Sequence, residues 1–173
     1  MTGVQTCALP ISQALKQVLK YEGGYVDHPK DPGGPTNKGV TQAVYDSWRK
    51  SQNLTAQSVR NISDSEVAAI YKNLYWDAIS GDNLPSGVDF AVFDYAVNSG
   101  VSKAAKTLQS VVGVTQDGQI GPQTIQAAKD YVAMSITNRR LAFMQSLSIW
   151  PTFGKGWAAR IADVKNQILA LTK

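Results

Sequence analysis

The chain has 173 residues and a net charge of +4, and its 43% hydrophobic and 17% charged residues are typical of a folded globular protein rather than a disordered one. It contains one cysteine, Cys7, and one histidine, His28, which excludes a disulfide framework, a structural zinc site, a Cys/His nucleophile and a multi-histidine metal centre. We therefore expect no metal or other cofactor, and carboxylates are the side chains that remain for catalysis.

The first twelve residues differ from the rest of the chain. They lack the basic start and the long apolar stretch of a secretory signal, and we expect residues 1–12 to be a non-native or disordered leader. A helix is predicted over residues 13–21, with Ser12 as its N-cap, because apolar residues recur there at helical spacing. Residues 23–39 hold three prolines and five glycines, which indicates a long loop or a short hairpin.

Glu22 is a candidate catalytic acid. It falls about 20° from Leu15 on the apolar face of the predicted helix, in the last turn, where the helix dipole is negative. Both surroundings favour the protonated carboxyl, which a glycosidase uses to protonate the leaving oxygen. Gly23 and Gly24 end the helix and let a bulky ligand approach the backbone. The pattern alone also fits an ordinary exposed glutamate at a frayed helix end.

Asp31, in the Pro/Gly loop, is the candidate second carboxylate. Water and turn amides around it would keep it ionised, and two carboxylates in opposite protonation states form the acid and base of glycoside hydrolysis. Thr36, five residues later, is a candidate for orienting a water molecule beside Asp31. The run Asp31-Pro32-Gly33 fits a plain turn equally well, so the pattern alone leaves both interpretations open.

Local signals mark the helices that follow. Thr41 is a predicted N-cap, and Ser63 with Glu66 forms a predicted capping box. Residues 81–87 break the pattern and are the predicted boundary between two regions. Residues 88–98 are apolar on nearly every side, which is typical of a buried central helix. Further helices are predicted at residues 103–112, 122–129, 132–146 and 157–171. The sequence thus predicts a mainly α fold with one long loop or short hairpin.

Residues 21–41, YEGGYVDHPKDPGGPTNKGVT, resemble the signature of glycoside hydrolase family 108, the N-acetylmuramidases of phage endolysins and related bacterial proteins. Glu22 to Tyr25 matches the family's EGGY motif, whose glutamate is the catalytic acid. The spacing of Glu22, Asp31 and Thr36 is also similar to the Glu/Asp/Thr triad of phage-type lysozymes, with one residue fewer before the threonine. Residues 93–100 and 117–124 resemble the small peptidoglycan-binding region that usually follows this hydrolase.

The resemblance implies a lysozyme-like α+β fold in which the loop forms one wall of a cleft. It implies a muramidase region over residues 13–84 and a helical peptidoglycan-binding region over residues 85–173 packed on it. The implied activity is hydrolysis of the β-1,4 bond between N-acetylmuramic acid and N-acetylglucosamine in bacterial peptidoglycan. Tyr25 is then a candidate for stacking on a sugar and Asn98 for binding an acetamido group, although half-buried packing for such a tyrosine and helix capping for such an asparagine are the commoner roles.

Two other activities stay open: a lytic transglycosylase, which uses a single carboxyl, and a peptidoglycan-binding protein without catalysis. Since residues 1–12 carry no export signal, the expected location is the host cytoplasm until release to the cell wall or periplasm. Whether the protein serves phage lysis or bacterial secretion is not determined by the sequence.

The positive charge lies in the second half: residues 1–84 hold eight Lys/Arg and eight Asp/Glu, whereas residues 85–173 hold nine and five. Such a half favours an anionic polymer such as the bacterial wall, although solubility alone also explains it. The cations are scattered, so no nucleic-acid partner is expected. The last predicted helix has an apolar stripe beside cations, which suggests either contact with anionic outer-membrane lipid or, as the commoner arrangement, docking on the core.

Overall fold

The computed structural model describes residues 10–27 and 34–172, which are mainly α-helical, as predicted. Within these residues the sheet is a single two-stranded antiparallel hairpin. The chain divides into two compact units: the hairpin unit, Leu15–Leu74, and the helical unit, which comprises the described residues of Met1–Ala14 and Tyr75–Lys173. Cys7, His28 and Asp31 lie outside the described residues. The muramidase region over residues 13–84 and the peptidoglycan-binding region over residues 85–173, which the resemblance implies, stay predictions.

The secondary structure of the hairpin unit follows the order helix, hairpin, helix, helix. Its elements are α1 (Ile11–Leu19, of which Leu15 onward belongs to this unit), β1 (Thr36–Asn37), β2 (Val40–Thr41), α2 (Gln42–Ser51) and α3 (Asp64–Tyr71). A 3-10 turn, Val59–Asn61, precedes α3, and a π-helical segment, Lys72–Trp76, continues it. The prediction of Ser12 as an N-cap is wrong: α1 already begins at Ile11, because the Pro10 carbonyl accepts the Gln13 N–H at 2.8 Å.

The two predicted caps of the hairpin unit are confirmed. The Thr41 hydroxyl oxygen accepts the Val44 N–H at 3.3 Å and starts α2. Ser63 and Glu66 accept each other's backbone N–H groups at the start of α3, which completes the capping box. The second carboxylate oxygen of Glu66 accepts from Arg49 at 2.6 Å, so the same residue ties α3 to α2. Local pattern and tertiary packing therefore agree at this point of the fold.

The helical unit is built around one buried helix. Its α-helices are α4 (Val88–Ser99), α5 (Val101–Val112), α6 (Pro122–Ala127), α7 (Ala133–Gln145) and α8 (Trp150–Leu171). Every side chain from Val88 to Ala96 is buried, and α4 packs against α5, α7 and α8. The predicted buried central helix is thus confirmed, and its burial on all sides explains why no amphipathic period is visible in it.

A buried ionic cluster joins three of these helices. The Asp94 carboxylate on α4 accepts hydrogen bonds from Arg140 on α7 and from Arg160 on α8, the latter at 2.8 Å. All three side chains are at most 9% exposed. Among the described residues, Nε and Nη2 of Arg140 find no hydrogen-bond partner, although they are buried. The cluster therefore ties α4, α7 and α8 together through one carboxylate.

Helix α8 begins seven residues earlier than the sequence predicts, because Pro151 is tolerated in a first helical turn and Gly154 is packed beneath the Trp150 ring. The apolar stripe of α8 is largely buried, with Ile161, Val164 and Ile168 each at most 2% exposed. It packs toward α4 and α7 and is not available to a membrane surface, so lipid contact through this stripe is not supported. None of the described helices combines the length and apolarity that crossing a bilayer requires.

Residues 117–124, which resemble part of a peptidoglycan-binding region, form a loop and the first residues of α6, and Gln109 of α5 organises the loop. The Gln109 amide nitrogen donates to Asp117 at 2.6 Å and to the Gln119 carbonyl at 2.9 Å, while its oxygen accepts the Gly118 N–H at 2.9 Å. The Gln119 N–H and the Gln109 amide hold the pKa of Asp117 below its usual value. These hydrogen bonds, which hold the loop in its conformation, are by themselves a sufficient physical reason for the residues of this motif.

Candidate active site

Glu22 lies just beyond the end of α1 in the hairpin unit. The helix ends at Leu19, and the Glu22 N–H donates to the Leu19 carbonyl at 3.3 Å, so Glu22 occupies the turn that follows and not the last helical turn. Its side chain is half-buried. The predicted place of Glu22 within the last helical turn is therefore wrong by one turn.

The chain after Glu22 runs alongside the hairpin. Val26 and Thr36 exchange two backbone hydrogen bonds of 2.8 Å, and the Lys38 N–H donates to the Gly23 carbonyl at 3.1 Å. Both residues of the hairpin turn have positive φ, 50° at Lys38 and 75° at Gly39, as a two-residue type I′ turn requires. These contacts bring the tip of the hairpin next to the turn that carries Glu22.

Glu22, Tyr71 and the backbone of Gly39 meet at one point. A Cβ atom on Gly39 would lie 3.0 Å from Glu22 Oε2 and would overlap the Tyr71 hydroxyl oxygen. The Tyr71 side chain is 2% exposed, and its hydroxyl donates to the Lys38 carbonyl at 3.0 Å. Three separate segments, the end of α1, the hairpin turn and the end of α3, therefore fix the position of the Glu22 carboxyl.

Sequence reasoning did not identify Tyr71 as a residue of this site. Its spacing in α3 matches the core pattern of that helix, and its ring is indeed buried. Only the tertiary contact shows that its hydroxyl reaches the hairpin turn beside Glu22. Gly39 lies within the stretch that resembles the family signature. The sequence feature that could have identified its structural role is a glycine at the second position of a two-residue hairpin turn.

The second carboxylate cannot be placed, since Asp31 lies outside the described residues, and its role stays a prediction. Thr36 is on β1, where its hydroxyl donates to the Gly34 carbonyl at 3.2 Å. The hydroxyl oxygen of Thr36 still has lone pairs with which to accept a hydrogen bond from water. Its proposed role in orienting a water molecule therefore also stays a prediction.

Tyr25 is half-buried, and one face of its ring is already in contact with another side chain. The Arg60 guanidinium carbon lies 4.4 Å from the ring centroid, and the Tyr25 hydroxyl donates to Asp27 at 3.2 Å. The buried Asn37 amide donates to the carbonyls of Val59 and Arg60 at 3.1 Å each, which ties the Arg60 backbone to the hairpin. If Tyr25 stacks on a sugar, it does so with its other face.

Asn98 lies in the last turn of α4, in the helical unit, and is exposed. Its side-chain oxygen accepts from the Ser99 hydroxyl at 3.0 Å. Gly100, and not Asn98, is the C-cap of α4. A helix cap therefore does not explain Asn98, and its predicted contact with an acetamido group stays a prediction.

The chain is similar to known proteins over most of its length. The sequence profile described as Glycosyl hydrolase 108 matches residues 15–100, which include Glu22, Tyr25, Thr36, Gly39 and Tyr71. A solved structure, that of SagA from Brucella abortus, is 42% identical in sequence, with a TM-score of 0.76 over 94% of this chain and 95% of that one. No curated protein matches the chain. Since the similarity to SagA extends over nearly the whole length of both chains, the chain belongs to the glycosyl hydrolase 108 family, and with it to the glycosidases that hydrolyse peptidoglycan.

Proposed function

We propose that the chain is an N-acetylmuramidase, a lysozyme of the endolysin type, and that Glu22 is its general acid. It cleaves the β-1,4 bond between N-acetylmuramic acid and N-acetylglucosamine. The observation that carries this proposal is the position of the Glu22 carboxyl, half-buried against a turn whose glycine has no side chain. A partly desolvated carboxyl is suited to protonating the oxygen of a leaving sugar. Gly23 and Gly24, which follow Glu22, leave room for a bulky group, since a Cβ on either would meet no described atom within 4 Å.

Tyr71 supports the proposal by helping to fix the position of Glu22. Its ring is buried, and its hydroxyl, which donates to the Lys38 carbonyl at 3.0 Å, lies against the same Gly39 backbone as the Glu22 carboxyl. A carboxyl held in one position is better suited to proton transfer than one that is free to move.

Asp31 is the proposed base of the same reaction, with Thr36 as the residue that orients the water. Asp31 removes a proton from this water while the water attacks the anomeric carbon, and Glu22 gives its proton to the departing oxygen. An inverting reaction needs carboxyls about 6.5–9.5 Å apart, and a retaining one about 5–5.5 Å. The similarity of the Glu22–Asp31 spacing to phage-type lysozymes favours inversion.

Mass spectrometry of digested sacculi tests the reaction. Hydrolysis leaves reducing N-acetylmuramic acid ends, and Asp31→Asn is expected to suppress their formation by about 10²-fold or more, as for loss of a general base. Products with 1,6-anhydro ends would instead make the chain a lytic transglycosylase and leave Asp31 without a catalytic role. Binding to sacculi without any cleavage would make it a peptidoglycan-binding protein that lacks catalysis.

A further inference from the structure

The helical unit contains a second site that the proposed reaction does not use. A groove of about 590 Å³ lies between the end of α4, α5 and α7. Three cations line it: Lys103 and Lys106 from α5 and Arg139 from α7. No carboxylate is among its lining residues within the described part of the chain. The groove is therefore positively charged.

The cations of the groove are held in place without being neutralised. Arg139 donates to the Ser110 hydroxyl, and the Lys103 ammonium lies 3.1 Å from the centroid of the Phe143 ring. Over residues 10–27 and 34–172, none of the three cations forms an ion pair with a carboxylate. Asp117 already accepts from the Gln119 N–H and from Gln109, and these hydrogen bonds, with a smaller contribution from the Lys106 charge, lower the pKa of Asp117.

The other lining residues are hydroxyls and aromatic rings. Ser102 and Thr107 add hydroxyl oxygens to that of Ser110, and Phe143 supplies apolar surface, whereas Tyr95 is only 1% exposed. The Arg140 guanidinium carbon lies 5.2 Å from the centroid of the Tyr95 ring, so the buried ionic cluster lies close to the groove.

We propose that this groove binds the carboxylate-bearing peptide stems of peptidoglycan. The proposal rests on the proposed function for its substrate class, but not on the chemistry at Glu22. A stem peptide offers carboxylates to the three cations, amides to the hydroxyls and alanine methyl groups to the apolar surface at Phe143. A polyphosphodiester offers charge to the cations but has no use for the amide-binding and apolar parts of the lining.

Nuclear magnetic resonance titration of the full chain with a soluble stem tetrapeptide tests the proposal. The groove variant Lys106→Gln with Arg139→Gln is expected to bind about tenfold or more weakly than the parent chain, because two charge-assisted hydrogen bonds are lost. The matched control, Lys155→Gln with Lys165→Gln on α8, removes the same charge outside the groove and is expected to bind within about twofold of the parent. Amidating the peptide carboxylates is expected to weaken binding as much as the groove variant does.

Several results would overturn this assignment. Equal weakening by the groove variant and its control would mean that only net charge matters. Tighter binding of an oligo(glycerol phosphate) than of the peptide would assign the groove to a phosphodiester polymer. If the groove variant does not fold, the titration of the parent chain alone still tests the proposal. A peptide that shifts no amide signals of α5 and α7 in the parent chain would contradict it. The titration measures binding and involves no cleavage. Failure of the muramidase proposal would be seen in a separate experiment, in which the protein leaves sacculi intact.

Discussion

The Glu22 carboxyl is the residue on which the proposed activity depends most directly. Glu22→Gln keeps the shape of the side chain but removes the proton to be donated, and we expect sacculus clearance to fall by about 10²–10⁴-fold, with the melting temperature unchanged. The control is Asp46→Asn, which changes an exposed carboxyl of the same unit and should leave clearance at the parent rate. If Glu22→Gln retained more than about a tenth of the parent rate, the general acid would have to be another residue.

Gly39 permits the close approach of Glu22 and Tyr71. We expect Gly39→Ala to cost roughly 1–3 kcal/mol of stability, because φ is 75° and the new Cβ would overlap the Tyr71 hydroxyl. We also expect it to reduce clearance by displacing Glu22.

Gly113→Ala, in the helical unit, is the matched control for Gly39→Ala. Its φ is also 75°, which imposes the same backbone strain, but its added Cβ meets no described atom within 4 Å. The two variants therefore separate strain from displacement of the carboxyl. Equal clearance by the two at equal stability would show that the crowding at Gly39 does not position Glu22.

At the scale of the elements, the Glu66 carboxylate joins the start of α3 to α2. Burial raises its pKa, but hydrogen bonds from Ser63 and Tyr45 and the charge of Arg49 outweigh that effect and hold the pKa below its ordinary value of 4.5. A carboxyl whose folded-state pKa is lowered adds stability above its unfolded pKa, and this stability is lost as the pH falls through the folded-state value.

Glu66→Gln is therefore expected to lower the melting temperature by a few degrees above pH 4.5, since a charged hydrogen-bond partner of Arg49 is removed. The gap between parent and variant should narrow as the pH falls below the folded-state pKa, where the parent also loses its negative charge. Thermal unfolding followed by circular dichroism across acidic pH measures both. If the difference in melting temperature between parent and variant did not depend on pH, the loss of stability would be due to packing and not to charge.

Elements with local signals were predictable from the sequence. Thr41 and the Ser63–Glu66 capping box lie within four residues of the helix starts they define, and the apolar run of α4 predicts its burial directly. The start of α8 was missed, because Pro151 and Gly154 are helix-breaking by propensity and only packing under Trp150 makes Gly154 favourable there.

The residues of the candidate site likewise differ in how far the sequence alone could predict them. Glu22 was predicted because its helix pattern, the following glycines and the family motif all lie close together in the sequence. Tyr71 follows Glu22 by 49 positions, and its hydroxyl contact depends on how α3 meets the hairpin. No periodicity carries that information, since a core tyrosine and a tyrosine that positions a carboxyl have the same spacing.

At the scale of the whole molecule, the uneven charge is expected to act on the wall. Residues 85–173 carry nine Lys/Arg and five Asp/Glu, and exposed charges are screened over about 8–10 Å at physiological ionic strength. Sedimentation of Glu22→Gln with purified sacculi should weaken from low to physiological salt. A nonionic osmolyte at the same osmolality should leave it unchanged. If sedimentation with sacculi did not change with salt concentration, contacts with neutral sugar groups would dominate the binding.

The buried cluster of Asp94, Arg140 and Arg160 has a consequence for how this fold changes during evolution. Removing one member of a buried ion pair costs about 3–5 kcal/mol, whereas replacing a whole cluster by apolar residues of similar volume is often neutral or favourable. Single substitutions at these positions are thus selected against, and the ancestral path between an ionic and an apolar centre must pass through near-simultaneous changes. In an alignment of relatives, the three positions should vary together. A relative with an apolar residue at the Asp94 position and both arginines retained would contradict this expectation.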